Sequence, residues 1–186
     1  MRIQRGGFNF LDPKQATKIL KLISRVTPRS ALVGGLAMNF YGSPRLTQDL
    51  DIVSDRSLPS SPQWSPRTLL TFGGRRYRTR EGVSLDVIVR NDAYAELYAD
   101  ALDLAPSTQL GFRIVTPEYL FLMKMASGRE KDHSDMMYLL VHRRINAVTT
   151  RKLVGRYLGG RFAQDEFDRL MDEAIWLRSR SRGESP

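Results

Sequence analysis

Residues 31–53 read ALVGGLAMNFYGSPRLTQDLDIV, and the two ends of this stretch decide the fold. It opens on a short apolar run, Ala31-Leu32-Val33, broken by Gly34-Gly35, and closes on Asp49-Leu50-Asp51-Ile52-Val53. The second end has the period of a strand. Residues two apart on a strand share a face, so Asp49 and Asp51 stand side by side while Leu50 and Ile52 point into a core. Two carboxylates in that arrangement repel each other, and a divalent cation between them would relieve the repulsion.

Working outward, the chain before this stretch reads as a loop followed by a helix over 13–26. Asp12 is the N-cap, Pro13 the first helical residue, and Ile19, Leu20, Leu22, Ile23 and Val26 form the apolar stripe. A short strand over 31–33 and a helix over 36–41 follow. Residues 54–67, SDRSLPSSPQWSPR, read as loop. After a short apolar run and the Gly73-Gly74 turn comes a hairpin with arms 75–80 and 83–90, joined at Glu81-Gly82. The pattern then becomes helical from Ala93, with a short strand over 112–115 and a capped helix from Thr116-Pro117-Glu118 to Gly128. Further helices are expected over 131–142, 149–158 and 164–179. Strands alternating with helices, then helices alone, indicate an α/β (α+β) fold. Residues 1–115 form the core with its N-terminal helix, and residues 116–186 a helical C-terminal region packed on it.

The arm Leu85-Asp86-Val87-Ile88-Val89 carries an acid inside an apolar run, which is costly unless that acid is paired or binds metal. Were this arm to lie beside 49–53, Asp49, Asp51 and Asp86 would share one sheet surface. Those hard oxygens suit Mg²⁺ with substrate phosphates and water completing its shell. Two such ions about 3.5–4 Å apart would activate an attacking oxygen and stabilise a leaving one.

The chain of 186 residues carries 29 Lys and Arg against 20 Asp and Glu, a net charge of +9 that favours a polyanionic partner. Much of the excess is arginine, clustered at Arg75, Arg76, Arg78 and Arg80 and again from Arg143 onward. Absence of cysteine excludes disulfides, thiolate nucleophiles and thiolate zinc sites. No segment has the length and apolarity of a membrane span, and no secretory signal pattern stands at residues 1–7, so a cytoplasmic location is expected. His133 and His142 are isolated, and neither reads as a metal ligand.

Gly34-Gly35, thirteen residues, Asp49-Leu50-Asp51 and then Asp86 between apolar residues resemble the signature of the nucleotidyltransferase superfamily, with its polymerase-beta-like fold. The finer pattern is Gly34-Gly35-Leu36-Ala37, Tyr41-Gly42 and Arg45-x-Thr47-x-Asp49-x-Asp51. It is most similar to the AbiEii-type branch, which includes toxins of bacterial toxin–antitoxin systems. The likeness continues at Thr116-Pro117-Glu118 to Lys124 and at Lys131-Asp132-His133-Ser134-Asp135. It covers roughly residues 31–140.

The resemblance implies an NTP as substrate, received at Gly34-Gly35, with magnesium held by Asp49, Asp51 and Asp86. It gives Asp86 the further role of deprotonating the acceptor hydroxyl. Lys124 becomes a catalytic residue on the leaving phosphates, and Arg45, Thr47, Lys131 and Asp132 become nucleotide-binding residues. Several of these have a plainer reading. Arg45 can pair with Asp49 or Asp51, Thr47 can shape its loop, Lys124 can be a solvated lysine, and Asp132 and Asp135 can be acids favoured at a helix start. Three functions remain open: transfer of an NMP to RNA such as a tRNA 3′ end, with an antitoxin protein as possible partner; AMP transfer to a protein hydroxyl; and a non-catalytic, partner- or nucleotide-binding descendant. The basic surface leans to RNA.

Overall fold

The computed structural model describes residues 10–181, and these divide into two compact units meeting at Val115 and Thr116. The loop expected at the extreme N-terminus, residues 1–9, lies outside the described residues, as do residues 182–186.

The first unit is α/β, as the period-two and helical patterns require. Helix α1 spans Pro13–Val26, β1 Ser30–Val33, α2 Gly34–Phe40, β2 Asp49–Ser54, β3 Trp64–Leu69, β4 Gly74–Thr79, β5 Ser84–Ile88 and α3 Ala95–Asp103. Asp12 caps α1 by accepting from the Lys14 N–H at 2.9 Å. The helix buries Ile19, Leu20 and Ile23 of the expected stripe together with Ala16, while Leu22 is half-buried and Val26, in the last turn, is exposed. The five strands form one mixed sheet in the order β1-β2-β5-β4-β3. Only β2 and β5 run parallel; the other three pairings are antiparallel.

Register sorts the sheet into two faces. Leu32 pairs with Ile52, Leu50 with Leu85, Ile52 with Val87, and Tyr77 with Leu85. Leu32, Leu50, Leu85 and Val87 are completely buried, which makes this face the core. At about 25 cal/mol per Å² such burial is the main stabilising term. The opposite face carries Asp49, Asp51, Asp86, Arg76 and Arg78.

Three expectations needed revision. The segment 54–67 is not loop throughout, since β3 begins at Trp64 and pairs with β4. It is an edge strand with one buried residue in six, which is why its Pro66 is tolerated and why its pattern was weak. The short helix starts at Gly34 rather than residue 36, because the Gly-Gly turn is itself the first turn of α2. Residues 112–115 do not form a regular strand. They make two isolated bridges, Ser107 to Arg113 and Leu32 to Ile114, and in the second the Leu32 N–H donates to the Arg113 carbonyl at 2.8 Å and the Val115 N–H to that of Leu32 at 3.1 Å.

The second unit is helical: α4 Pro117–Ser127, α5 Glu130–Val141, α6 Ala147–Tyr157 and α7 Gly160–Ser181. Pro117 occupies the start of α4, and Gly128, in the left-handed region at φ 60°, ends it. Thr116 precedes Pro117 but donates no side-chain cap. Phe121 and Phe167 meet edge to face, 5.5 Å between centroids, in the core of this unit. Met123, Met136 and Met137 are buried there too, as filling.

Candidate active site

The carboxylates come together because β2 and β5 are parallel neighbours in register. Asp51 pairs directly with Asp86, and Asp49 with Ser84 one row away. The bend that lets Asp51 sit where it does is Gly34, with φ 68°. A Cβ at Gly34 would stand 2.0 Å from Asp51 Oδ2 and 2.7 Å from its Cβ, so Asp51 lies directly on a glycine backbone. A Cβ at Gly35 would meet Thr47 Oγ1 at 2.8 Å and Arg45 Nη2 at 3.5 Å. Gly34, Gly35, Arg45, Thr47 and Asp51 are therefore one cluster.

The loop between Phe40 and Asp49 is held from inside. Asn39 Nδ2 donates to the carbonyls of Ser43 and Arg45, both at 2.7 Å, and Thr47 Oγ1 donates to the Asp49 carbonyl at 3.2 Å. Thr47 thus shapes its loop whatever else it does.

Asp86 has a partner that the sequence reading did not assign. Arg76, directly across on β4, donates Nε to Oδ1 at 2.6 Å and Nη2 to Oδ2 at 2.7 Å. Asp86 is 7% exposed, and this two-pronged pair satisfies both its oxygens. The Arg76 guanidinium is held well above its ordinary pKa by its hydrogen bonds to Asp86, by that carboxylate's charge, and by the charges of Asp49 and Asp51. Part of the positive charge that the acids call for is thus supplied by an arginine. A turn at Glu81-Gly82 alone, as the sequence suggests, would set residue 76 opposite residue 87; the observed Thr79–Val83 turn shifts the register by one and sets it opposite residue 86.

Among the described residues no three acidic or histidine side chains are gathered closely enough to hold a metal by themselves. Asp49 is exposed and Asp51 half-buried. Together they offer hard oxygens that fit Mg²⁺ sharing its shell with nucleotide phosphates and water. Asp86 would join only on release from Arg76.

In the second unit Lys124 and Asp132 are found together rather than on an open surface. Lys124, 5% exposed, places Nζ 3.0 Å from Asp132 Oδ1 and 2.5 Å from Asp135 Oδ2. Asp132, 1% exposed, also accepts from Ser127 and, at 2.7 Å, from Arg129 Nε. This network ties α4 to α5. Lys131 is exposed. Burial pushes the Asp132 carboxyl up, but the hydrogen bonds of Ser127, Arg129 and Lys124 and the lysine charge outweigh it and hold it below its ordinary value of 3.8.

No protein-family model and no curated protein matches the chain. A solved structure described as a "putative nucleotidyltransferase from H. pylori" does. It aligns with a TM-score of 0.51 at 15% identity, covering 93% of this chain and 96% of that one. At that identity the likeness establishes a shared fold, which agrees with the fold expected from Gly34-Gly35 and the aspartates.

Two outcomes follow from this geometry. Gly34→Ala is expected to destabilise by about 2 kcal/mol, the left-handed backbone and the clash with Asp51 both contributing. Gly34→Ala with Asp51→Gly, which removes the Cβ as well as the carboxyl that a Gly34 side chain would meet, should cost less than the sum of the single changes in urea titrations; strict additivity would refute the contact. For Asp132 the lowered folded pKa contributes stability above about pH 4 that is lost as pH falls through the folded value. Asp132→Asn should therefore melt with a flatter acid limb than the parent, at a cost near neutral pH of about 3 kcal/mol.

Proposed function

We propose that the chain is a magnesium-dependent nucleotidyltransferase that moves a nucleoside monophosphate from an NTP to a hydroxyl of RNA, such as a tRNA 3′ end. The observation that carries this reading is the parallel, in-register pairing of β2 with β5, which sets Asp49, Asp51 and Asp86 on one face against the Gly34–Gly35 turn. The shared fold with a structure described as a nucleotidyltransferase supports it more generally.

In this reading Asp49 and Asp51 hold Mg²⁺, which when bound supplies positive charge to the triphosphate. The glycines let phosphate approach the backbone, with Arg45 and Thr47 beside them as further contacts. Asp86 accepts the proton of the acceptor hydroxyl. The freed oxygen bonds to the α-phosphorus, the bond from that phosphorus to the bridging oxygen breaks, and pyrophosphate leaves with the electron pair. Positioning and electrostatics supply most of the acceleration. Arg76 gates this step, because both Asp86 oxygens accept from its guanidinium and one must be released before it can take the proton. Lys124, Lys131 and Asp132 are assigned no step. A role as the toxin of a toxin–antitoxin pair would suit an enzyme that modifies tRNA, and belongs to the same reading.

One observation favours a second reading, a non-catalytic nucleotide binder: both oxygens of Asp86 are already taken by Arg76. Labelling separates the two. With Mg²⁺ and each radiolabelled NTP in turn, total RNA should acquire label, and Asp49→Ala with Asp51→Ala should reduce it by at least about a thousandfold. Label on protein alone would transfer the reading to AMP addition on a protein hydroxyl. No metal-dependent label on either would leave the binder.

A further inference from the structure

An open groove in the first unit lies between α1 and the turn joining β4 to β5, with Lys18, Lys21, Arg25 and Arg80 on its walls and Trp64 in its floor. None of these four cations has an ion-pair partner among the described residues. Four other arginines of this unit are paired, Arg29 with Asp103, Arg56 with Asp55, Arg76 with Asp86 and Arg90 with Asp92, while Arg67, Arg75 and Arg78 share the unpaired state of the groove cations among the described residues. Four cations facing one groove, with Glu81 as its acid, constitute a local excess that the fold has left unneutralised.

The arrangement is linear. Lys14, Lys18, Lys21 and Arg25 recur at steps of four, three and four along α1, so they form one row, opposite the buried stripe of Ala16, Ile19, Leu20 and Ile23. At 1.5 Å rise per residue their spacing along the axis is roughly 4.5–6 Å. That repeat is longer than the roughly 3.4 Å per charge along one strand of a duplex, so it suits a strand drawn out beyond its duplex rise. A single row suits one backbone rather than the two of a duplex.

The groove also has a direction. Its Thr79–Glu81 wall is the end of β4, and the adjoining row of the sheet runs Arg78, Ser84, Asp49. Asp49 is two strand spacings, roughly 10 Å, from Arg78. Thr79 shares its face with Tyr77 and Arg78 shares the other with Asp49, so a chain lying along α1 would reach the carboxylates by turning round this sheet end.

We propose that this groove is a track for the phosphate backbone of single-stranded RNA, which brings the strand's end to the Asp49–Asp51 surface. The delivery to the carboxylates rests on the transferase reading; the binding does not.

The test is fluorescence anisotropy of the full chain with a labelled single-stranded RNA of about 20 nucleotides, without NTP or Mg²⁺. Lys18→Glu, Lys21→Glu and Arg25→Glu together should weaken binding at least about tenfold and reduce the salt slope by about 2. The equally charged change Arg144→Glu, Lys152→Glu, Arg161→Glu should leave the slope within about 1 of the parent. The milder Lys18→Gln, Lys21→Gln, Arg25→Gln protein, checked by circular dichroism, guards against misfolding and should lose most of the same slope. Absent binding by the parent, equal losses from the two Glu triples, or equal affinity for polyglutamate would each overturn the track. Because the assay contains no NTP, a failure to label RNA leaves its result intact, and loss of the track leaves labelling of a small acceptor intact.

Discussion

Two carboxylates on adjacent strands, one strand spacing apart, are the constraint to which the first unit answers. At about 4.8 Å and an effective dielectric near 20, unit charges at that separation repel by roughly 3–4 kcal/mol. Asp51 and Asp86 are in this position because the register of β2 and β5 puts them there. The fold tolerates them by bringing Arg76 across from β4 and by leaving Asp49 toward solvent. A sheet face that could have been apolar is instead held by charge balance, an arrangement with little stability to recommend it.

The two units handle buried charge differently. In the first, the Arg76–Asp86 pair has one side open, with the arginine side chain 44% exposed. In the second, Lys124 sits between Asp132 and Asp135 with all three side chains almost fully enclosed. An open pair can exchange partners with an arriving phosphate or cation at modest cost. A closed one is fastened, since removing any member strands the others in low dielectric. The same residue types therefore form an accessible pair in one unit and a clasp between helices in the other.

Much of this was legible in the residues. The period-two spacing of Asp49 and Asp51, the acid within the run 85–89 and the Gly34-Gly35 break put the acids on strands, and the condition that those strands be neighbours is met by the pairing of β2 with β5. What the sequence concealed depends on long-range pairing. Arg76 looked like one more cation in a basic arm because arginines at 75, 76, 78 and 80 occupy both faces, and only the hairpin register separates them. Trp64–Leu69 hid as a strand because an edge exposed on nearly all sides needs no apolar alternation and accepts proline. Lys124 and Asp132 sit on different helices, and the turn at Gly128 that brings them together carries no mark of which side chains will meet.

The two margins of the sheet have a consequence for how the protein behaves in company. Beyond β1 the backbone of residues 113–115 takes up its outward hydrogen bonds, and at the other margin β3 presents Pro66, which has no N–H to offer, followed by the charged Arg67. Neither rim is a ready template for another polypeptide. Strand addition is disfavoured at Leu32 on one margin and at Pro66 and Arg67 on the other.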